Sequence, residues 1–76
     1  METKVTVMTD GWMKHPVDAI LEETAEAHGA TSIRLLKNGV STLFSNPASG
    51  SAFKEAVLAE PRLKGKLANL SIGDAS

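Results

Sequence analysis

TSIRLLKNGVSTLFS, residues Thr31 to Ser45, is the stretch that decides the fold predicted by this 76-residue sequence. Two runs of β-branched and apolar residues meet at Asn38-Gly39, and this dipeptide between such runs predicts a β-hairpin. A type I′ turn needs positive φ at both central residues, which Asn and Gly tolerate. The turn would set the pairing of the strands, with Lys37 opposite Val40, Leu35 opposite Thr42 and Ile33 opposite Phe44.

Alternation along the two strands divides the hairpin into two faces. The face expected to pack on a core carries Ile33, Leu35, Lys37, Val40, Thr42 and Phe44. The other face is mixed and is expected to stay open to solvent; it carries Ser32, Arg34, Leu36, Ser41, Leu43 and Ser45. Because Phe44 falls on the core face, the open face of the hairpin has no aromatic side chain.

A further strand is predicted near each end of the chain. Residues Lys4 to Thr9 alternate in polarity, with Val5 and Val7 on one side, which is typical of a half-buried strand. Residues Lys66 to Ile72 alternate in the same way, and their apolar side carries Ala68, Leu70 and Ile72.

Two helices are predicted between the strands. The first follows Pro16, which suits a first turn, and ends at Gly29, which suits the left-handed residue after a helix. Its apolar positions have the spacing of an amphipathic helix: Val17, Ile20, Leu21, Thr24, Ala25 and His28. The second helix begins with Asn46 as N-cap and Pro47 at the first position, and it ends before Pro61.

The element order is therefore β-α-β-β-α-β, which predicts an α+β two-layer sandwich. We expect a four-stranded antiparallel sheet with two helices on one face, in a single domain over residues 1–76. Its ordered core should span about 4–72, and Gly73 to Ser76 should fray. In element order the chain resembles a ferredoxin-like domain, a plan shared by RNA-recognition motifs, metal-binding domains and regulatory modules. That plan does not decide a function.

Composition sets limits on the partners. The net charge is −1, so nothing in the global balance favours nucleic acid or an anionic membrane. No apolar run approaches the ~20 residues that span a bilayer, and we expect no membrane contact. The chain has no cysteine, which excludes disulfides and fits the cytoplasmic location that we predict.

Recognised chemical sites are missing from the sequence. RNA-recognition motifs stack bases on open-face aromatics, and VSTLFS places none there, so nucleic acid is an unfavoured partner. The first loop, DGWMKHP, offers Asp10, Met13 and His15, whose spacing matches no known ligand set, and we expect neither a metal nor a cofactor. There is no nucleophile elbow, phosphate loop or carboxylate pair, so we expect no enzymatic activity. We expect His28 to be a partly buried residue of the first helix and not a catalytic base.

Two charged patches of opposite sign stand out. Asp18, Glu22 and Glu26 follow one another at four-residue spacing on the first helix; a solvated face is the simpler interpretation and a basic partner is the alternative. Arg62, Lys64 and Lys66 form a small basic cluster that is a candidate anion site. Their opposite signs leave self-association open.

Apolar residues outside the predicted core supply the leading hypothesis. Leu36 and Leu43 fall on the open face, within diagonal reach of each other in the predicted register, and Trp12 has no obvious core position. We therefore predict an interaction or regulatory module that binds a protein partner, or a second copy of itself, through Trp12, Arg34, Leu36 and Leu43. The alternatives are that Trp12 folds over one edge of the core, and that the basic cluster with Arg34 binds nucleic acid or phosphate weakly.

Overall fold

A computed structural model describes residues 2–74 and shows an α+β fold with a four-stranded antiparallel sheet and two helices, as predicted. The elements in chain order are strand β1 (Thr3–Thr9), helix α1 (Val17–Ala27), strand β2 (Ser32–Leu36), strand β3 (Gly39–Phe44), helix α2 (Pro47–Ala59), a 3₁₀ turn (Pro61–Leu63) and strand β4 (Leu67–Asp74). The strand order in the sheet is β2-β3-β1-β4. The predicted fraying is wrong for Gly73 and Asp74, which belong to β4, while residues 75 and 76 lie outside the described part.

Both helices pack against the same face of the sheet. Alternate residues of the two central strands are fully buried there, and the helices bury residues against them; the shared core includes Val5, Val7, Val40, Phe44, Ile20, Leu21, Phe53 and Val57. The Phe44 and Phe53 rings lie 5.3 Å apart between centroids. Thr42 is buried on the same face, and its hydroxyl donates to the Val5 carbonyl oxygen at 2.8 Å, so its polar group is satisfied.

The predicted helix boundaries are confirmed. The Asn46 side chain accepts the Ser49 N–H at 2.8 Å and caps α2, with Pro47 at its first position. Gly29, after α1, has φ of 82°, the left-handed conformation expected there. Gly50 lets α2 approach the sheet closely, since a Cβ at that position would lie 2.7 Å from Thr3 Cγ2.

The predicted register of the hairpin is wrong by two residues. Leu36 pairs with Gly39 and Leu35 with Val40, so the two-residue turn is Lys37-Asn38 and not Asn38-Gly39. No described non-glycine residue has positive φ, and the type I′ turn is therefore not formed. A shift of two residues keeps every strand side chain on its predicted face. The expected burial is wrong at Leu35, which is 50% exposed on edge strand β2, and at Lys37, which is exposed in the turn.

Contact with β1 explains why the turn moves. Gly39 is a strand residue between Leu36 and Met8, and a Cβ on it would collide with the backbone carbonyl oxygen of Val7. Its glycine is therefore required by close backbone approach and not by a left-handed turn.

The predicted apolar side of β4 is wrong at its first residue. Thr9 pairs with Leu67 and Met8 with Asn69, so Ala68 is an extra residue in a β-bulge. The bulge turns Leu67 toward the core and leaves Ala68 exposed, while Leu70 keeps its predicted side. Ile72, predicted on the same side, pairs with Val5 but is exposed.

Candidate functional site

Three connections meet at one end of the sheet and are joined by backbone hydrogen bonds. The Thr9 N–H donates to the Asn38 carbonyl oxygen at 2.7 Å, and the Met13 N–H donates to the Lys37 carbonyl oxygen at 2.7 Å. On the other side, the Asp10 N–H donates to the Lys66 carbonyl oxygen at 2.9 Å. These bonds hold the loop after β1 against both the β2–β3 turn and the segment before β4.

Trp12 projects from this junction into solvent. Its side chain is 76% exposed, and the ammonium nitrogen of Lys37 lies over the ring, 5.8 Å from its centroid. At an exposed site, a cation–π interaction at this distance contributes about 0.5–1 kcal/mol. The alternative in which Trp12 folds over the core is therefore wrong; its neighbour Met13 packs against the core instead.

Two further lysines complete a basic surface around the indole. Trp12, Lys14 and Lys66 line one open cavity of about 200 Å³, together with a single carboxylate, that of Asp10. Trp12, Lys14, Lys37 and Lys66 are called the Trp12 cluster below. It combines a large exposed aromatic surface with three positive charges and one negative neighbour.

Sequence reasoning identified Trp12 and Lys66 but assigned them to different sites, and it missed Lys14 and Lys37. A signal was present in the predicted topology. In an antiparallel sheet of this element order, the loop after β1, the β2–β3 turn and the loop before β4 all lie at one end.

The open sheet face does not bring the predicted partner-binding residues together. Leu36 lies opposite Gly39 beside the turn, whereas Leu43 lies opposite Ser32 toward the other end of β2. Four residues along a strand separate their positions by about 13 Å, so the predicted diagonal contact is wrong. Arg34 is exposed between them on the same face, and both leucines are half-buried.

The predicted anion site is divided between two environments. Arg62 donates from Nε and from its N–H to Glu60 Oε1, at 2.7 and 3.1 Å, and its guanidinium is thus held by a neighbouring carboxylate. Lys64 is exposed beside a separate apolar groove formed by α2, the 3₁₀ turn and β4. Only Lys66 of these three basic residues lines the Trp12 cavity.

The Glu60–Arg62 pair should be visible in a titration. The hydrogen bond from the Arg62 side chain, with the backbone N–H bond, lowers the pKa of Glu60 below its ordinary value. The pair therefore stabilises the folded state at pH values above the ordinary glutamate pKa. This contribution is lost as the pH falls through the lowered pKa of Glu60. We expect Arg62→Gln to raise the pKa of Glu60 in an NMR titration of the carboxyl carbon, and Lys64→Gln to leave it unchanged. An equal effect of the two substitutions would contradict the pairing.

The histidines have structural surroundings. His28 is half-buried as predicted: its Nδ1 donates to the Thr24 carbonyl oxygen at 2.8 Å, and its ring lies 6.5 Å from that of Phe53. His15 is exposed, with Nδ1 3.3 Å from an Asp18 carboxylate oxygen. Within residues 2–74, no three histidine, aspartate or glutamate side chains converge as metal ligands would.

The helices of the described chain are too short or too polar to cross a bilayer. Comparison with protein-family models gave no match, and comparison with curated proteins and with solved structures gave none either. Function must therefore be inferred from the geometry of the chain's own residues.

Proposed function

We propose that the chain is a non-enzymatic interaction module that binds an acidic surface of a protein partner through the Trp12 cluster. The carrying observation is the Trp12 indole, three-quarters exposed with three lysines beside it. An exposed tryptophan leaves a large apolar area in water, and tryptophan is among the residues that contribute most to the free energy of protein association.

The lysines indicate the sign of the partner. The surroundings of Trp12 hold three lysine side chains and a single carboxylate, that of Asp10. Complementary charge raises the rate of association and selects against partners of the same sign. An acidic rim around an apolar pocket for the indole is the partner surface that fits this arrangement best.

A nucleic acid fits the same cluster less well. Proteins that bind single strands stack bases on free aromatic faces, and Lys37 lies over a face of the Trp12 ring. A phosphate backbone would also approach the carboxylate of Asp10. Weak nucleic-acid or phosphate binding is therefore kept as an outcome of the test.

We also propose that the fold follows the ferredoxin-like plan. The element order and the strand order β2-β3-β1-β4 support it. In this order β3 lies between β2 and β1, and β4 lies on the other side of β1. The plan hosts many functions and does not choose the partner. A cytoplasmic location, which suits a chain without cysteine, belongs to the same proposal.

The open sheet face remains the second candidate surface, for a protein partner or a second copy of the chain. Its support is that Leu36 and Leu43 are half-buried on this face, with Arg34 between them. Met8, also half-buried, lies beside Leu36 across Gly39. Because the two leucines do not adjoin, this face offers two small apolar spots and not one patch.

Trp12 is the one tryptophan of the chain, so its fluorescence reports directly on the proposed site. We expect a blocked decaglutamate peptide to shift the emission of Trp12 to shorter wavelength, because binding removes water from the indole. A Lys14→Glu/Lys66→Glu variant should weaken this binding by about tenfold or more, since each reversed pair is worth about 0.7 kcal/mol or more.

Matched variants separate the alternatives. Lys4→Glu/Lys54→Glu makes the same charge change away from the cluster and should bind the peptide as the unmodified chain does. Decathymidylate is the nucleic-acid probe, and its binding is followed by quenching of the Trp12 emission. A higher affinity for decathymidylate than for the peptide, with a steep salt dependence, would favour nucleic acid as the partner. If Leu43→Ser loses peptide binding while Lys14→Glu/Lys66→Glu keeps it, the binding site lies on the open face.

A further inference from the structure

A second surface, opposite in sign to the Trp12 cluster, lies along the edge of the sheet at β2. In the sheet formed by residues 2–74, β2 and β4 are the edge strands. Every second residue of an edge strand directs its N–H and C=O away from the sheet, which makes the edge a template for another strand. β4 carries the bulge at Ala68 and a glycine, whereas β2 has neither.

The helix-facing side of β2 is apolar and exposed. Leu35 is 50% exposed, and Ile33 is half-buried against the core. Both side chains line a groove of about 290 Å³ between β2 and α1. An added strand would cover these two residues, because its side chains would alternate in step with theirs.

Two carboxylates of α1 line the same groove. Glu22 and Glu26 lie one helical turn apart on its helix side, and no lysine or arginine is among the lining residues. Like charges at this spacing weaken the helix by a few tenths of a kcal/mol, and a basic side chain in the groove would relieve that repulsion.

We propose that the β2 edge accepts an extended segment of a partner protein, with an apolar side chain against Ile33 and Leu35 and lysine or arginine facing Glu22 and Glu26. A second copy of this chain fits less well. Antiparallel pairing of two β2 strands about a two-fold axis would place both α1 helices on one side of the sheet. Glu22 and Glu26 would then approach their own symmetry mates, which opposes association.

A pair of short peptides tests the surface. The basic probe is a blocked heptapeptide of sequence Thr-Lys-Thr-Val-Thr-Lys-Thr, whose lysines and valine share one face, and the acidic probe has glutamate in place of both lysines. In ¹⁵N–¹H spectra we expect the basic probe to move the amide signals of Ile33 and Leu35. It should bind about tenfold more tightly than the acidic probe, as two exposed ion pairs allow.

Charge reversal provides the control. Glu22→Lys/Glu26→Lys should invert the preference, so that the acidic probe binds more tightly, whereas Glu23→Lys/Glu55→Lys, with two exposed glutamates outside the groove, should retain it. Glu22→Gln/Glu26→Gln should remove the preference and serves as the test if the reversed variant does not fold. No shift at Ile33 and Leu35, or an unchanged preference in the reversed or neutralised variant, would overturn the proposal.

Discussion

Replacing Phe53 by alanine should leave the domain at or near the limit of unfolding in water. Phe53 is fully buried between the sheet and α1, with its ring against Phe44 and His28. Truncating a buried phenylalanine to alanine costs about 3–5 kcal/mol. A domain of this length has a free energy of unfolding of about 4–11 kcal/mol, so this one substitution removes a large part of it.

Urea denaturation followed by far-ultraviolet circular dichroism measures the loss. Fluorescence is a poor probe of unfolding here, because the one tryptophan is already exposed in the folded state. Leu58→Ala is the matched control on the same helix: its side chain is 59% exposed, and we expect a change within about 0.5 kcal/mol. Similar losses for Phe53→Ala and Leu58→Ala would contradict the orientation of α2.

Gly39→Ala should cost about 3 kcal/mol although it adds only one methyl group. The new Cβ would collide with the carbonyl oxygen of Val7 and lie 3.0 Å from Met8 Cα, both backbone atoms of a central strand. It would also lie 2.9 Å from Met8 Sδ, which can move, but the backbone of β1 is held on both sides. Overpacking without room to relax usually costs about 1–3 kcal/mol, and the upper end applies here.

Gly73→Ala is the control for the same substitution in a strand. Gly73 lies on edge strand β4 and pairs with Lys4 of β1. No described atom beyond its chain neighbours lies within 4 Å of a Cβ placed on Gly73. We expect a neutral or slightly stabilising effect, since alanine lowers the conformational entropy of the unfolded chain. Chemical denaturation of Gly39→Ala and Gly73→Ala measures the difference in their free energies of unfolding. Equal stabilities would show that the β1–β3–β2 register is wrong.

The fold could be predicted from local signals because each one had a physical cause within a few residues. Asn46-Pro47 and Gly29 mark helix ends by hydrogen bonding and backbone conformation, and both predictions are confirmed. The faces of the hairpin were predicted correctly because they depend only on alternation.

The turn could not be predicted because its cause is distant in sequence. Asn38-Gly39 has the composition of a type I′ turn, but the carbonyl oxygen of Val7 lies where a side chain at position 39 would be. The same holds for the bulge at Ala68, which depends on how β4 meets Thr9.

The candidate site was harder to predict than the core. Lys14 and Lys37 are 23 positions apart in the sequence and come together only because the loop after β1 bonds to the turn. Each lysine alone looks like a solvated surface charge, which most lysines are. Conversely, the basic cluster of Arg62, Lys64 and Lys66 lies within one short stretch of sequence but is divided in the structure. Arg62 is held by Glu60, and Lys64 lines a different groove.

Photo-cross-linking from position 12 tests most directly whether the Trp12 cluster binds a partner. Trp12 would be replaced by p-benzoylphenylalanine, and the variant irradiated in extract from cells that produce the protein, with the same group at Leu58, also exposed, as control. We expect a protein adduct from position 12 that Lys14→Glu/Lys66→Glu removes, and none of that mass from position 58. A nucleic-acid adduct, equal protein adducts from both positions, or no adduct from position 12 would contradict the proposed function.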